Sequence, residues 1–551
     1  MKLIKNKEAF TLLAQEDFLK AWDKLYSACP WATIFQSKDF VLSWFENYLD
    51  DYRPIILTDW DGNHMSGLFL LTIDEKVLRV PGITQAEYQT WLSTIESNDL
   101  FITKALDRVT KEFPNYTIKL KYVPAHTPLA WCQNKKSWKN KTFLKKHLQP
   151  IMIGDEEKID KELKKKNKKE KINRLKRKGE LTFERITSIE DFKSILDELI
   201  IQSDFRKGAM FDKLTFQNEP NRKQFIIDAF KKGILHVTIL RLDKEIIASN
   251  VGFMSSKVVH LQGINTHSPS YAKYSPGILH FFMLGKLVCR EETEIFDLTP
   301  GGADGYKGML ANAFLETHEL TICSEWTKKK LEIRGYFARH LKIILKKNNI
   351  NTQKRKAFFL ELENKKEKAK HTFQSEDDFE VTTDIIDPSK RPEKNVFYNI
   401  KINELPLEIP CKPIRPNKLE DFFLFDPKKS SITRKDFLWD SMKRMELGHE
   451  SFTLIDKGKL AAVLWYVPAN TKSGEREEGK DIIRNEDILL FSLHSKESFT
   501  LLVDFIICIA NHVNETYSLD KDLKLQIREN DNYLLKLWNE HKIYESHFFN
   551  L

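Results

Sequence analysis

The feature that most constrains the fold is the order of apolar segments between residues 181 and 314. A strand-like run, LTFERI, precedes two segments that we predict to be helices, 188–203 and 216–232. Three strand-like runs follow, separated by short polar turns such as Asp243–Lys244, then an apolar helix (278–292) and the strand-like EIFDLTPGG. Paired helices, a meander and a strand-helix-strand step predict a mixed α/β (α+β) domain.

Comparable orders recur on both sides of this segment. The first 150 residues predict helices over 15–26 and 37–49, then a strand pair around the turn signal Asp61-Gly62-Asn63. Residues 414–551 predict a helix, a hairpin, a strand, a helix and a strand. Because 551 residues are too many for one hydrophobic core, we expect several domains, and the three comparable orders predict an internal repeat.

The composition is that of a globular chain, with 41% hydrophobic and 30% charged residues. Lysine, glutamate and proline are abundant between residues 346 and 413, which favours a linker there. The predicted segments are an N-terminal domain (1–150), a basic connecting helix (151–180), a second domain (181–345), a charged linker (346–413) and a C-terminal α/β domain (414–551).

The positive charge is concentrated in one stretch. Lys161 to Lys178 contains eleven Lys and Arg residues against two Glu, a surplus equal to the net charge of +9 for the whole chain. We interpret this stretch as part of one charge-dense helix closed by Gly179, serving as a solvated connector. The alternative is a face that binds an anionic partner.

The cysteines and the apolar windows bear on location. The six cysteines are scattered, without the spacing of metal ligands, which disfavours a zinc site and a disulfide framework and fits a reducing compartment. The N-terminus lacks the apolar core of a signal peptide. The most apolar window, 501–510, is too short to cross a bilayer and contains Asp504. We expect a cytoplasmic protein with no membrane span and no metal; the oligomeric state stays open.

A first candidate site is the helix start at Tyr274-Ser275-Pro276-Gly277. Free backbone N–H groups and the helix dipole favour an anion at such a position. Pro276 suits the first turn, Ser275 can cap the helix, and Gly277 permits close approach to the backbone. An ordinary Ser-Pro-Gly helix start is the alternative.

A second candidate site is the strand end Asp297-Leu298-Thr299-Pro300-Gly301-Gly302, followed by Tyr306 and Lys307. Glycines after a strand let the backbone turn towards a ligand, and Lys and Tyr can neutralise an anion or donate a proton. A packed aromatic beside a surface lysine, with Asp297 only bracing the loop, is the alternative. The residues reveal no general base, and the spacing of His236, His260, His267 and His280 does not indicate a metal site.

Several of these motifs together resemble a known family. Arg206-Lys207-Gly208, Ile246-Ile247-Ala248, Ser275-Pro276-Gly277, and Phe296-Asp297-Leu298 with Tyr306-Lys307 resemble, in this order, the CelD/BcsL-like acetyltransferases. That family is similar to the Fem-type peptidoglycan aminoacyltransferases, and Phe35-Gln36-Ser37 resembles its first domain. The resemblance covers about residues 30–315 and leaves the C-terminal part outside.

The resemblance implies tandem GNAT-like domains, to which we add a C-terminal domain of GNAT-like element order. It implies Tyr306 and Lys307 as catalytic residues. To these we add Asp297 at the strand end, and at the helix start we predict Tyr274, Ser275, Gly277 and Ile278 as residues that bind the acyl donor. The usual acetyl-CoA signature is absent, so the donor stays open between acetyl-CoA and another acyl-CoA.

The leading hypothesis is therefore transfer of an acyl group from acyl-CoA to an amine or hydroxyl of a small-molecule, saccharide or peptide acceptor. Polysaccharide or cell-envelope biosynthesis is the pathway that the resemblance implies. The alternatives are a Fem-type transferase that uses aminoacyl-tRNA, supported by the basic stretch Lys161 to Lys178, and a non-catalytic binding scaffold of the same fold.

Overall fold

The computed structural model describes residues 1–291, 293–347, 395–400, 414–427, 432–477, 480–494, 499–519 and 523–528. The chain divides into two compact units. The first unit contains residues 1–197, 219–266 and 276–352; the second contains 198–218, 267–275 and the C-terminal part.

The N-terminal half of the first unit combines helices with strands as predicted. Its helices are α1 (Asn6–Leu13), α2 (Glu16–Ala28), α3 (Lys38–Tyr48), α4 (Asn98–Glu112), α5 (Ala130–Asn134) and α6 (Lys136–Lys139). Its strands are β1 (Lys2–Lys5), β2 (Ile55–Asp61), β3 (His64–Asp74), β4 (Val77–Arg79), β5 (Leu92–Ser93), β6 (Thr117–Val123) and β7 (Thr142–Ile153). Ser37 caps α3 by accepting a hydrogen bond from the Phe40 N–H group.

The middle of the chain continues the alternation. Its helices are α7 (Glu156–Lys164), α8 (Lys166–Lys176), α9 (Ile189–Phe211), α10 (Thr215–Asn218), α11 (Asn221–Lys231), α12 (Pro276–Arg290), α13 (Tyr306–Leu310) and α14 (Glu325–Lys347). Its strands are β8 (Leu181–Ile186), β9 (Leu235–Leu242), β10 (Glu245–Met254), β11 (Val258–His267), β12 (Ile295–Asp297) and β13 (Ala313–Ile322).

These strands form one sheet in the order β1-β2-β3-β4-β6-β13-β7-β12-β11-β10-β9-β8, with β5 paired to β3. Most neighbours are antiparallel, but β4 pairs with β6 in parallel and β11 pairs with β12 in parallel. Each parallel pair is joined through a helix, α4 or α12, because parallel neighbours need a crossover. Strands of the two predicted domains 1–150 and 181–345 thus share a sheet.

The two halves of the sheet exchange their closing strands. β13, from the end of the middle segment, pairs with β6 of the N-terminal half. β7, from the end of the N-terminal half, pairs with β12. β7 and β13 also pair with each other over ten residues at the centre of the sheet. The sequence interpretation missed both central strands.

The second unit contains its own sheet. Its elements are β14 (Asn395–Ile400), α15 (Arg434–Leu447), β15 (Glu450–Asp456), β16 (Lys459–Val467), β17 (Lys472–Glu477), β18 (Lys480–Ile483), β19 (Ile488–Leu493), α16 (Phe499–Tyr517) and β20 (Leu523–Arg528). Five strands pair in the order β14-β20-β19-β16-β15, and β14 lies in the predicted linker 346–413. One core of this unit includes Phe205, from the second part of α9, packed against Phe422.

The three predicted repeats share one strand topology. In the C-terminal sheet, β15 and β16 form a hairpin, β19 follows antiparallel, and β20 returns parallel to β19 after α16. β14, the first strand of this sheet in sequence, pairs antiparallel with β20 at its edge. In the same way, β7 pairs antiparallel with β12 beside the middle strands. The mixed α/β fold class is confirmed.

The basic stretch differs from its prediction. It forms two helices, α7 and α8, because the backbone of Lys165 between them is extended (ψ 138°). Gly179 lies beyond the end of α8 at Lys176 and is not its cap. A Cβ atom there would lie 2.1 Å from a carboxylate oxygen of Asp243, so close packing explains the glycine.

Cysteine pairing also differs from the expectation. Cys29, Cys132, Cys289 and Cys323 are free, but Cys508 is disulfide-bonded. Sequence spacing did not reveal this bond because the pairing of distant cysteines depends on the fold.

Candidate active site

The candidate site begins where two parallel strands part. β11 and β12 are in register at Val258↔Ile295, Val259↔Phe296 and His260↔Asp297. β12 ends at Asp297, whereas β11 continues to His267. His260 and Asp297 thus form the last pair of this ladder, a position that we call the fork.

Asp297 is the centre of a buried hydrogen-bond network. Its Oδ2 lies 2.7 Å from the Tyr88 hydroxyl, which donates to it, and 2.7 Å from Nδ1 of His260. Its Oδ1 accepts from the Gln149 amide at 3.0 Å and from the Thr299 N–H at 2.9 Å. Elements from both halves of the sheet therefore surround one carboxylate.

The charge of this carboxylate is stabilised by its donors. Burial would raise the pKa of Asp297, but the hydrogen bonds from His260, Tyr88 and the Thr299 N–H group lower its pKa overall. Burial, together with the adjacent Asp297 carboxylate, raises the pKa of Tyr88 well above its usual value. Tyr88 is therefore a neutral donor to an ionised Asp297 at neutral pH.

His260 is held by packing as well as by Asp297. Its side chain is 5% exposed, and its ring lies 5.2 Å from Phe35 and 5.6 Å from Tyr88 between centroids. With Nδ1 carrying the proton towards Asp297, Nε2 carries the lone pair. This orientation is the one that a general base requires.

The loop after β12 carries the predicted lysine. Thr299 has a φ of +62°, an unusual conformation for a β-branched residue, and Gly301 and Gly302 also have positive φ. Nζ of Lys307 donates to the Thr299 hydroxyl at 2.8 Å and approaches its carbonyl at 3.3 Å. Asp297 thus connects to Lys307 through the backbone and side chain of Thr299.

Lys307 lies near both negatively and positively charged side chains. Burial lowers the pKa of Lys307, while the negative charges of Glu87 and Asp297 partly oppose this effect. Glu87, whose side chain is 6% exposed, pairs with Lys121 of β6. The fork is therefore bordered by two lysines and a buried glutamate.

Tyr306, the second residue predicted to be catalytic, is partly buried and packs against an apolar core cluster. Its ring stacks on Phe281 of α12 with centroids 6.2 Å apart and planes at 14°. It also packs with the cluster that contains Phe296 and Leu310. The catalytic role of Tyr306 stays a prediction.

The residues predicted to bind the donor are divided between the two units. Tyr274 is buried at the end of a 3-10 helix (Pro269–Tyr274), and Ser275 has a left-handed φ of +53°. Both belong to the second unit, whereas Gly277 and Ile278, in the first turn of α12, belong to the first. An N-cap residue is normally extended, so the backbone of Ser275 differs from the expected cap.

The basic helices carry less free charge than their composition suggests. Lys165 and Lys168 both pair with Glu162, and Arg174 pairs with Glu170. Such exposed pairs are worth little energetically, but they neutralise part of the positive surface. In the part of the chain that the structure describes, no helix is long and apolar enough to cross a membrane, and no cluster of three or more His, Cys, Asp or Glu side chains is placed to bind a metal ion.

The sequence interpretation missed four of the residues at this site. Tyr88, Gln149 and Glu87 lie more than a hundred residues from Asp297 in sequence, and no local pattern marks them. His260 was considered only as a metal ligand. One signal could have revealed His260. It lies in the strand before α12, and a strand-helix-strand step predicts that this strand pairs in parallel with the strand that ends at Asp297.

One family model matches the middle of the chain. Residues 163–308 match the family model described as an acetyltransferase (GNAT) domain. The match includes His260, Asp297 and Lys307, while Tyr88 and Gln149 lie outside it. The fold is thus mixed α/β and contains a GNAT domain; the finer CelD/BcsL-like assignment remains an expectation.

Distant solved structures include a conserved protein of unknown function from Bacteroides thetaiotaomicron, 12% identical, covering 56% of this chain and 97% of its own (TM-score 0.38). FemX is 11% identical over 58% of this chain and 97% of its own (TM-score 0.38). A tandem GNAT protein from the clavulanic acid biosynthesis pathway is 11% identical over 59% and 98% (TM-score 0.35). These likenesses are too distant to assign a function, and no curated protein matches the sequence.

Proposed function

We propose that the protein transfers an acyl group from an acyl-CoA thioester to an amine or hydroxyl acceptor, with the reaction centre at the fork. The observation that carries this proposal is the buried pair of His260 Nδ1 and Asp297 Oδ2, 2.7 Å apart, within a GNAT domain. GNAT-type transfer needs a base for the acceptor and a donor or cation for the developing oxyanion. The pair at the fork supplies the base that the sequence alone did not reveal.

In this mechanism, Nε2 of His260 accepts the proton as the acceptor nitrogen or oxygen attacks the thioester carbonyl. Asp297 holds the imidazole in the tautomer that leaves Nε2 free to accept, and it stabilises the imidazolium that forms. The C–S bond of the tetrahedral intermediate then breaks, and CoA leaves as a thiolate that takes up the proton held by the His260 imidazolium, which returns His260 to its neutral form.

Lys307 is the proposed electrostatic stabiliser. Its ammonium is held by the Thr299 hydroxyl and carbonyl, so little reorganisation is needed when negative charge develops on the carbonyl oxygen. Its partial burial strengthens this interaction, because the local dielectric is lower than in water.

The proposed donor seat is the start of α12, at Gly277 and Ile278. Tyr274 and Ser275, which precede α12 in sequence, stay predicted donor-binding residues. α12 is fifteen residues long, and the N–H groups in the first turn of a helix have no partner within the helix, which favours a pyrophosphate there. Acetyl-CoA is the simplest donor, and a small-molecule, saccharide or peptide amine or hydroxyl is the acceptor. The cell-envelope pathway is an extension that rests on the family resemblance alone.

The test is release of CoA from acetyl-CoA in the presence of a panel of amines and sugars. We predict that Lys307→Ala lowers the turnover by about a hundredfold or more while the protein stays folded. The matched control is Lys231→Ala, which removes an exposed lysine paired with Asp228 in α11 and should leave the turnover unchanged. Full activity of Lys307→Ala would remove Lys307 from the mechanism.

The same preparation distinguishes the donors. A melting temperature raised by acetyl-CoA would support the thioester, because a ligand that binds the native state stabilises it by mass action. A salt-sensitive shift with tRNA alone would favour an aminoacyl-tRNA donor held at Lys161 to Lys178. No response to either would favour the scaffold.

A further inference from the structure

Helix α14 (Glu325–Lys347) exposes large apolar side chains. Trp326 is 72% exposed, Phe337 is 66% exposed and Ile333 is 56% exposed. These residues are spaced by seven and four positions, so they lie on one face of the helix. A stripe of exposed Trp, Ile and Phe is unusual for a water-facing helix and marks an interaction surface.

The other side of α14 is attached to the first unit. The helix starts directly after β13, where the Ser324 hydroxyl accepts from the Thr327 N–H at 3.2 Å. Nζ of Lys328 donates to the Lys139 carbonyl at 2.5 Å, and the Lys328 side chain is only 17% exposed. The orientation of the first turns is therefore fixed, and the apolar stripe points away from this attachment.

Positive charge borders the stripe. Lys329, Lys330 and Arg334 are exposed and lie beside it by helical spacing. Nζ of Lys330 lies 5.4 Å from the centroid of the Trp326 ring. The neighbouring acid, Glu332, pairs with Lys328 on the attached side at 3.3 Å, so it does not neutralise this border.

We propose that α14 is an interfacial helix that lies on the surface of an anionic lipid membrane. An apolar face containing Trp and Phe and flanked by Lys and Arg matches the two parts of a membrane surface, the acyl boundary and the negative headgroups. Long basic side chains can bury their methylenes beside the stripe while their charges reach the headgroups. The helix lies on the bilayer in this proposal and does not cross it.

Charge complementarity selects this occupant over another protein. A second copy of the chain would bring the same basic border towards itself, which is unfavourable for a symmetric contact through the stripe. A lipid surface of negative charge pairs with every basic residue of the border at once. The proposal is independent of the acyl-transfer mechanism, because none of its residues belongs to the fork.

The experiment is flotation of the full chain with vesicles of phosphatidylcholine alone and of phosphatidylcholine containing phosphatidylglycerol. We expect binding to the anionic vesicles, weakened by salt, and little binding to phosphatidylcholine alone. Phe337→Glu and Trp326→Ala should each reduce the bound fraction at least tenfold. Both sites are exposed, so the melting temperature should stay unchanged.

The matched control is Ile95→Glu, which places a charge at another exposed apolar residue (62% exposed) and should leave vesicle binding unchanged. Three outcomes would overturn the proposal: no binding to anionic vesicles, equal binding of wild type and Phe337→Glu, or concentration-dependent self-association that Phe337→Glu abolishes in the absence of vesicle binding. The last outcome would assign the stripe to a second copy of the chain.

Discussion

At the scale of single residues, Asp297 organises the candidate site. Its carboxylate accepts four hydrogen bonds, from Tyr88, His260, Gln149 and the Thr299 backbone. A buried carboxylate is stable in its charged form only when its lone pairs are satisfied in this way. The same bonds hold the ring of His260 and the backbone of Thr299, on which Lys307 depends.

Removal of the Asp297 charge is predicted to destabilise the protein in a pH-dependent manner. At neutral pH, Asp297→Asn should lower the free energy of unfolding by about 3 kcal/mol, because the donors around it lose a charged acceptor. The pKa of Asp297 is lowered in the folded protein, so its contribution is complete above the ordinary aspartate pKa and is lost as the pH falls through the lowered value. Urea unfolding of both proteins between neutral and acidic pH measures the difference.

The control for this prediction is Asp304→Asn, an exposed aspartate of the same loop, which should change the unfolding free energy by less than about 0.5 kcal/mol. A difference between wild type and Asp297→Asn that is constant across the pH range would contradict the charged, hydrogen-bonded state of Asp297.

The sequence was informative about these residues where the signal is local. A strand that ends in Asp297 and runs into glycines predicts a functional loop, and Lys307 follows it at short range. His260 and Tyr88 are brought to Asp297 by strand pairing and by a loop of the other half, which a single sequence does not encode locally. Tyr306 was singled out by its position beside Lys307, yet its ring packs on Phe281.

At the scale of elements, the central strands β7 and β13 were not predicted from the sequence, and β13 provides a test of stability. The segment that forms β7 includes Lys145, Lys146 and Pro150, which interrupt the alternation expected of a strand. Its pairing with β13 over ten residues overrides this weak local preference. The flanking hairpin β2-β3 and helix α12 have strong local patterns and were predicted correctly.

Thr317 of β13 provides an element-scale test. It is 0% exposed, and its hydroxyl has no hydrogen-bond partner among the described residues. Thr317→Val removes an unsatisfied buried hydroxyl without changing the shape, so we expect the unfolding free energy to rise by up to about 1 kcal/mol. The matched control is Thr72→Val in β3, also 0% exposed, whose hydroxyl donates to the Arg53 carbonyl at 3.0 Å.

Thr72→Val should lower the unfolding free energy by about 1 kcal/mol, because it breaks that hydrogen bond. Equal effects of the two substitutions, measured by urea denaturation, would show that the Thr317 hydroxyl is satisfied in solution.

At the scale of the whole molecule, two sheets of the same strand topology carry different residues at the position of the candidate site. The parallel pair of the C-terminal sheet has Leu490↔Gln526 as its third register pair, where the middle segment has His260↔Asp297. Leucine and glutamine do not provide a base and its orienting carboxylate. The order of elements in the sequence predicted the internal repeat. Only the strand register shows that the C-terminal sheet has no His–Asp pair at this position.

The two units should respond separately to core substitutions. Each unit contains its own sheet, so thermal unfolding is expected to show more than one transition. Leu68→Ala in β3 and Leu489→Ala in β19, which are 1% and 0% exposed, should each cost about 2–5 kcal/mol in their own unit. Calorimetry should show each variant lowering a different transition; one transition lowered equally by both would contradict independent cores.

We propose that His260, oriented by Asp297, is the base of an acyl transfer at the fork. The most direct measurement is the steady-state rate of acetyl transfer by His260→Gln against wild type, with the best acceptor found for the wild-type protein. We expect kcat to fall by about 10²–10⁴ while KM for the acyl donor changes little, because the substitution removes the proton acceptor and leaves the donor seat intact. A kcat within about twofold of wild type, in a variant with an unchanged melting temperature, would contradict it.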